Sequence, residues 1–181
     1  HMGLLSLALG LGGVGAYGAV LHTLNNALAK VMVFLAVGNV VLACGTSSSG
    51  RIRGLMRTMP ASGTLLVIGL FAITGSPPFG MFLSEFTIIK AAIDQYPWIA
   101  VVLVVLLSII FVGIASMILE MVYGERAEAG ATAATVGTER PWLVAAPAAL
   151  AILVLGLGVY MPAPLSDAIA SAAEALGGRA P

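Results

Sequence analysis

The chain has 181 residues, of which 60% are hydrophobic and only 9% are charged, and its formal net charge is zero. Soluble domains carry about 25% charged residues, so this composition is typical of a protein that crosses the membrane several times. The balanced charge gives no reason to expect a nucleic-acid partner. The single cysteine, Cys44, excludes an internal disulfide and a cysteine-ligated metal or iron–sulfur site.

The N-terminal part holds a short apolar segment and then a long one. Gly3 to Leu11 is too short to span a bilayer, since about 20 apolar residues are needed, and we interpret it as the end of a helix whose beginning is missing. Four glycines between residues 12 and 18 predict a turn. The next segment, Val20 to Cys44, is long enough to span. We expect no signal peptide, because no basic stretch follows Met2.

The rest of the chain alternates between polar loops and apolar segments. A loop from Gly45 to Ser62 carries three arginines, and apolar sequence then runs from Gly63 to Gln95. Further spans are predicted at Pro97–Tyr123 and Pro141–Tyr160, with a polar loop at 125–140 between them. A short, weakly amphipathic tail ends the chain.

The apolar stretch 63–95 is interrupted by the sequence Gly75-Ser76-Pro77-Pro78-Phe79-Gly80, in which two prolines each remove a backbone donor. The stretch is either two short spans or one broken span. One span places five loop arginines on one face and only Arg179 on the other, whereas two spans divide the arginines four to two. Because cytoplasmic loops carry the excess of lysine and arginine, the charges favour one broken helix. In transporters such breaks mark ion and substrate sites.

The first functional candidate is Lys30, whose ammonium group lies in the middle of the Val20–Cys44 segment. A charge at that depth costs roughly 2.5–3.5 kcal/mol on insertion scales. Lys30 is at least ten residues from either end of its helix, about 15 Å, which is too far for full snorkelling to the interface. Lysine can hold and release a proton, which a proton relay requires.

His22 and Asn26 precede Lys30 at intervals of four residues, so the three side chains share one helix face. They form a polar stripe about 12 Å long. Histidine titrates near neutrality, and His22 is therefore either a relay partner of Lys30 or an interfacial histidine. Asn26 cannot carry a proton, and we expect it to hold a water molecule or to pack helices by hydrogen bonding.

Glu85 is the second candidate, because it lies just past the break, where the helix dipole favours a carboxylate. The alternative role of Glu85 is to cap the second half-helix. Lys90 is a supporting candidate, although with Asp94 it reads more simply as an interfacial anchor. His1 and His22 lie far apart in sequence and predict a poor metal site, so we expect neither a metal nor a cofactor.

Three stretches carry a family resemblance: LHTLNNALAKVMVFLAVGNVVLACGT (Leu21–Thr46), RIRGLMRTMP (Arg51–Pro60) and GLFAITGSPPFGMFLSEF (Gly69–Phe86). Together they resemble the antiporter-like subunits of respiratory complex I and its relatives. Within that family they most resemble the F subunit of hydrogenase-4 and formate-hydrogenlyase type membrane complexes. The resemblance covers residues 1–124.

The resemblance implies an all-α, polytopic membrane helix bundle with one broken transmembrane helix. The chain is similar to the C-terminal third of such a subunit, which contains two inverted repeats. Residues 1–124 would form the second-repeat half-channel, 125–140 a polar loop, and 141–181 a C-terminal transmembrane helix and tail. The start of that third in the family favours His1-Met2-Gly3 as native sequence over a cloning remnant.

The resemblance also assigns roles to single residues. It implies that Lys30 is the central proton-carrying lysine, that Glu85 is the ionisable residue of the broken helix, and that His22 belongs to the relay. Asn26 departs from the family pattern, because many members have a second histidine there. The Glu–Lys pair of the first repeat is absent from this sequence, so a complete channel cannot be built from these residues alone.

We therefore expect a fragment of a proton-translocating membrane subunit in the cytoplasmic (inner) membrane. Its partners would be other membrane and peripheral subunits, which would carry the redox chemistry. Three alternatives remain open. They are a sodium/proton antiporter subunit without redox partners, a structural membrane subunit without ion conduction, and a solute transporter, for which the polar stripe is thin.

Overall fold

The computed structural model describes residues 1–125 and 139–179. Its helices, in chain order, are α1 (Met2–Leu11), α2 (Gly13–Cys44), α3 (Leu55–Thr58), α4 (Pro60–Ile73), α5 (Gly80–Gln95), α6 (Pro97–Tyr123), α7 (Pro141–Val159) and α8 (Ala163–Ala175). By length and composition, α2, α6 and α7 can each cross a membrane. The predicted all-α membrane helix bundle is thereby confirmed.

Proline and glycine set most of the helix ends. Pro60, Pro97 and Pro141 each begin a helix, where a missing backbone N–H costs nothing and the fixed φ suits the first turn. Gly45 ends α2 in the left-handed conformation, with φ 65°. The sequence predicts these positions because both residue types act through the backbone alone. The predicted last span ends at Val159, one residue earlier than expected.

The predicted glycine turn is shorter than expected, because only Gly12 and Gly13 make it, with φ 63° and 50°. Gly12 alone separates α1 from α2, and Gly15 and Gly18 lie inside α2, which begins at Gly13 and not at Val20. A Cβ atom at Gly18 would come within 2.8 Å of Cγ1 of Ile88. Small residues let transmembrane helices approach closely, so this glycine serves packing between α2 and α5.

The long helix α2 is the centre of the bundle and contacts α1, α4, α5, α7 and α8. The main hydrophobic core forms where α4 and α7 pack against the C-terminal half of α2. Its fully buried members include Met32, Val40, Leu66, Leu70 and Val154. The helix α6 is largely unburied and presents an apolar surface.

The helices α4 and α5 run antiparallel to α2, one after the other. Three pairs of neighbouring residues show this direction. They are Gly69 beside Val33, Gly80 beside Asn25, and Ile88 beside Gly18. Partner numbers fall steadily as residue numbers rise, so α4 and α5 continue in one direction and are two halves of one span. Residues 74–79 between them are not helical. The predicted broken transmembrane helix is confirmed, and its break lies beside the stretch of α2 that contains Lys30.

Polar contacts join the loops at one end of the bundle. Arg53 forms an ion pair with Glu120. The Glu139 carboxylate accepts hydrogen bonds from the backbone N–H groups of Ala61 and Ser62, at 3.2 and 2.6 Å, and so caps the start of α4. Most of the predicted polar loop at 125–140 lies outside the described residues.

Candidate functional site

Buried polar side chains gather where the N-terminal half of α2 faces α5, beside the helix break. His22 is 0% exposed and Glu85 is 5% exposed. Asn25, Asn26 and Ser84 are buried with them. Because polar groups are costly to bury in an apolar bundle, this cluster is the first place to look for function.

The hydrogen bonds of Ser84 determine which ring nitrogen of His22 carries the proton. Nδ1 of His22 lies 3.0 Å from Oγ of Ser84, and this hydroxyl donates to the backbone oxygen of Met81 at 2.7 Å. A serine hydroxyl has one proton to donate, so Ser84 accepts from Nδ1–H of His22. In the neutral ring, Nε2 then presents a lone pair, and it has no hydrogen-bond partner among the described residues.

His1 brings a third ionisable group to this cluster. Its Nδ1 lies 3.8 Å from Oε1 of Glu85, and its ring centroid lies 5.4 Å from that of His22. His1 and His22 are therefore neighbours in space, although they lie far apart in sequence. Their sequence separation hides the contact, because α1 folds back along α2 and α5.

The predicted break residues shape the surroundings of Glu85. Gly75 has φ 67°, and a Cβ atom there would overlap the Glu85 carboxylate. The backbone oxygen of Gly80 accepts a hydrogen bond from Nδ2 of Asn25 at 3.0 Å, which ties the start of α5 to α2. Pro77 and Pro78, joined by a cis peptide bond, lie within the break. Sequence reasoning did not single out Asn25 or Ser84.

A cavity of about 320 Å³ opens between α5 and α6 next to the break. Its wall includes Thr74, Gly75, Glu85, Phe82, Ser108 and Phe111. Glu85 thus lies beside His1 and His22 and also borders this cavity.

The two lysines do not join the cluster. Lys30 is half-buried and forms neither a hydrogen bond nor an ion pair within the described ranges. It lies two helical turns from His22, about 12 Å along the axis. Asn26, between them on the same face, has a buried Oδ1 without a described hydrogen-bond partner. Lys90 and Asp94 are both exposed, and in this part of the structure they form no ion pair.

The fold and this cluster together define a class of protein: a membrane helix bundle with ionisable side chains buried at a broken transmembrane helix. The model of the NADH:quinone oxidoreductase/Mrp antiporter transmembrane family matches residues 1–111, which is more than half of the chain. The chain belongs to this family.

Individual relatives are longer than this chain. The Hydrogenase-4 component F homolog of Methylacidiphilum infernorum (isolate V4) is 37% identical over 106 residues, which cover 58% of this chain and 22% of the relative. The putative antiporter subunit mnhD2 of Staphylococcus haemolyticus is 31% identical over 105 residues, covering 56% of this chain and 21% of that protein. The chain therefore spans about a fifth of the length of these curated relatives.

A solved structure shares the fold. The chain is similar to one chain of the Mrp complex from Dietzia sp. DQ12-45-1b, with a TM-score of 0.78 and 22% identity. The match covers 96% of this chain and 40% of that one. The similarity extends beyond the region of the family model and includes the C-terminal helices.

Proposed function

We propose that this chain forms a proton-translocating segment of an antiporter-like membrane subunit, with Lys30, His22 and Glu85 as the proton-carrying groups. The observation that carries the proposal is that His22 and Glu85 are both buried beside the helix break, with ligand atoms within 4.8 Å of each other. Ionisable residues inside a membrane bundle serve ion pathways far more often than packing. Family membership supports this assignment.

The proposed route begins at the cavity between α5 and α6. A proton enters on the Glu85 carboxylate, which borders that cavity, and passes to the lone pair on Nε2 of His22. Glu85 returns to a carboxylate and His22 becomes an imidazolium. Water bound at Asn26 carries the proton on to Lys30, because the distance is too long for direct transfer. In this step His22 returns to the neutral imidazole, and Lys30, holding a neutral amine beforehand, becomes an ammonium. Lys90 is not a proton carrier on this route, and its role is limited to placing a positive charge in the C-terminal half of α5.

Partner subunits follow from the relatives. Similar proteins are described as a hydrogenase-4 component and as part of the Mrp complex, so they are subunits of larger assemblies. We propose that this chain also works in a multi-subunit complex of the cytoplasmic membrane and that its partners carry the redox chemistry. The antiporter relative favours a second candidate, a sodium/proton antiporter subunit without redox partners. Co-purification of redox-active subunits would distinguish the two.

The test replaces Lys30 in the complex that contains this chain and measures acidification of inside-out membrane vesicles with a pH-sensitive dye. Lys30→Ala removes the proton carrier, and Lys30→Arg keeps the charge in a group that does not release its proton. We expect both variants to lower proton flux about a hundredfold or more, the low end of what a positioned proton-transfer group contributes. Asp94→Asn, which alters an exposed carboxylate of α5, serves as the control.

Two results would count against the relay. Normal flux with Lys30→Ala would leave a structural membrane subunit as the better explanation. Normal flux with Lys30→Arg alone would show that Lys30 supplies a fixed positive charge and carries no proton. Repeating the measurement across a sodium gradient separates the antiporter alternative from the redox-linked one.

A further inference from the structure

We propose that His1, His22 and Glu85 form a binding site for a transition-metal ion, with Zn²⁺ as the representative case. Each residue offers one ligand atom, and these atoms lie within 4.8 Å of one another. Two histidines and a glutamate are a donor set that binds zinc in proteins, with the fourth position left for water. The site goes beyond the proposed function, because a relay requires no metal.

The ligand atoms are available because the surrounding protein leaves them without partners. Nδ1 of His1, Nε2 of His22 and Oε1 of Glu85 are all buried, and none of them has a hydrogen-bond partner in the described part of the chain. Leaving buried polar atoms unpaired costs free energy, about 1–3 kcal/mol each. A bound cation would satisfy all three at once.

Ser84 gives His22 the orientation that metal-bound histidines have. Such histidines almost always donate their second ring N–H to an acceptor, which fixes the tautomer and directs the other nitrogen at the metal. Here Nδ1 of His22 donates to Ser84 at 3.0 Å, and Nε2 is the free atom. The supporting hydrogen bond is therefore already in place.

Only a small contraction is needed to bind the ion. Zinc–ligand bonds of about 2.0–2.1 Å in a tetrahedron place ligand atoms about 3.4 Å apart. Nδ1 of His1 and Oε1 of Glu85 are already 3.8 Å apart. His1 precedes the first residue of α1 and its side chain is 14% exposed, so its imidazole can move toward the other two ligands without disturbing the core.

The donor set also determines which ions bind. Imidazole nitrogens suit zinc, nickel and copper, whereas magnesium and calcium prefer sites made of oxygen. The ion would occupy Nε2 of His22 and Oε1 of Glu85, the two atoms through which the proposed relay passes. Zinc is therefore expected to inhibit proton flux, and this one consequence rests on the proposed function.

The test measures metal binding to the chain purified in detergent. Co²⁺ serves as a spectroscopic probe of coordination, and Zn²⁺ displaces it in a titration. We expect one ion per chain and no displacement by Mg²⁺. Glu85→Gln and His1→Ala should each abolish tight binding, and Ser84→Ala should weaken it about 10–100-fold, as loss of a supporting hydrogen bond does. Asp94→Asn, a change of an exposed carboxylate on the same helix, should bind normally.

The variants separate a site from nonspecific binding. His1→Ala leaves α2 and α5 intact, so it remains informative if Glu85→Gln fails to fold by circular dichroism. Absence of stoichiometric binding, or equal affinity in wild type and His1→Ala, would overturn the site. Lys30→Ala should keep zinc affinity while proton flux is lost. Zinc binding together with normal flux in Lys30→Ala would instead remove the relay and leave the metal site standing.

Discussion

Ser84 and Gly75 determine how the side chains of His22 and Glu85 are oriented in the candidate site. Ser84 holds Nδ1 of His22, which leaves Nε2 free. Gly75 has no side chain at the point where the Glu85 carboxylate lies, so the carboxylate occupies that space. His22 and Glu85 are the ionisable groups, and Ser84 and Gly75 fix the positions of their side chains.

Gly75→Ala is the sharpest test of how the break positions Glu85. The residue has φ 67°, which strains any residue with a Cβ atom by roughly 1–2 kcal/mol, and its new methyl group would overlap the carboxylate. We expect lower thermal stability in detergent and a displaced Glu85, with loss of both proton flux and zinc affinity.

Gly45→Ala is the matched control for that substitution. Gly45 has a similar φ of 65°, yet a Cβ atom there meets nothing within 4 Å. It should lower stability by a similar amount and leave flux and zinc affinity unchanged. Equal loss of flux in both variants would show that backbone strain, and not contact with Glu85, causes the defect.

The sequence predicts the site only where a residue contrasts with its surroundings. Lys30, His22 and Glu85 are ionisable groups in apolar segments, so composition alone singles them out. Ser84 bonds a carbonyl of its own helix, as Ser108 and Ser116 do, and only its tertiary neighbour His22 distinguishes it. The position of His1 beside Glu85 could not be predicted for the same reason, since it depends on how α1 folds back.

At the scale of helices, close packing of α5 on α2 positions the site. This contact depends on Gly18, where a Cβ atom would lie 2.8 Å from Cγ1 of Ile88. Any separation of the two helices would move Ser84 away from His22. The helix contact and the geometry of the candidate site are therefore coupled.

Gly18→Ala and Gly38→Ala form a matched pair on the same helix. Gly38 faces open space, so its replacement should stabilise α2 by about 0.5–1 kcal/mol through helix propensity. Gly18→Ala should instead destabilise the bundle by about 1–3 kcal/mol, because it overpacks a tight contact. Thermal unfolding of the purified chain in detergent measures both. A stabilised Gly18→Ala variant would show that α2 and α5 can separate freely.

The helix boundaries show where sequence signals are ambiguous. Proline marks the starts of α4, α6 and α7, because its missing N–H and fixed φ suit the first turn, although Pro147 lies inside α7. Glycine has two uses, in turns and in close packing, and the run from Gly12 to Gly18 contains both, since Gly12 and Gly13 make the turn and Gly18 packs against α5. The break was identified correctly because two prolines and the loop charges gave independent signals.

In the whole molecule, polar contacts lie at both ends of the helix bundle. Arg53 and Glu120 meet at one end, where Glu139 also caps α4. At the other end Gln95 donates to the Leu11 carbonyl, and the Arg179 N–H donates to the Gly13 carbonyl. Arginines are concentrated at the first end, which we therefore expect to face the cytoplasm.

Cysteine labelling tests this orientation in a Cys44→Ala background. Ser49→Cys should react with a membrane-impermeant maleimide in inside-out vesicles, and Asp94→Cys should react in right-side-out ones, since one broken span separates these exposed positions. Two complete spans would place both positions on the same side. Labelling of both from one side would therefore contradict the single-span topology.

The break between α4 and α5 has a consequence for how such a protein can vary. Where one half-helix ends and the next begins, carbonyl and amide groups lack partners within their own helices. The carbonyl oxygens belong to the main chain and persist under any substitution, since only the amide N–H can be lost, by replacement with proline. Polarity at the break is therefore robust to mutation, whereas the proton and metal binding that we propose depends on a few replaceable side chains. The same backbone can thus carry a different set of ionisable groups without being rebuilt.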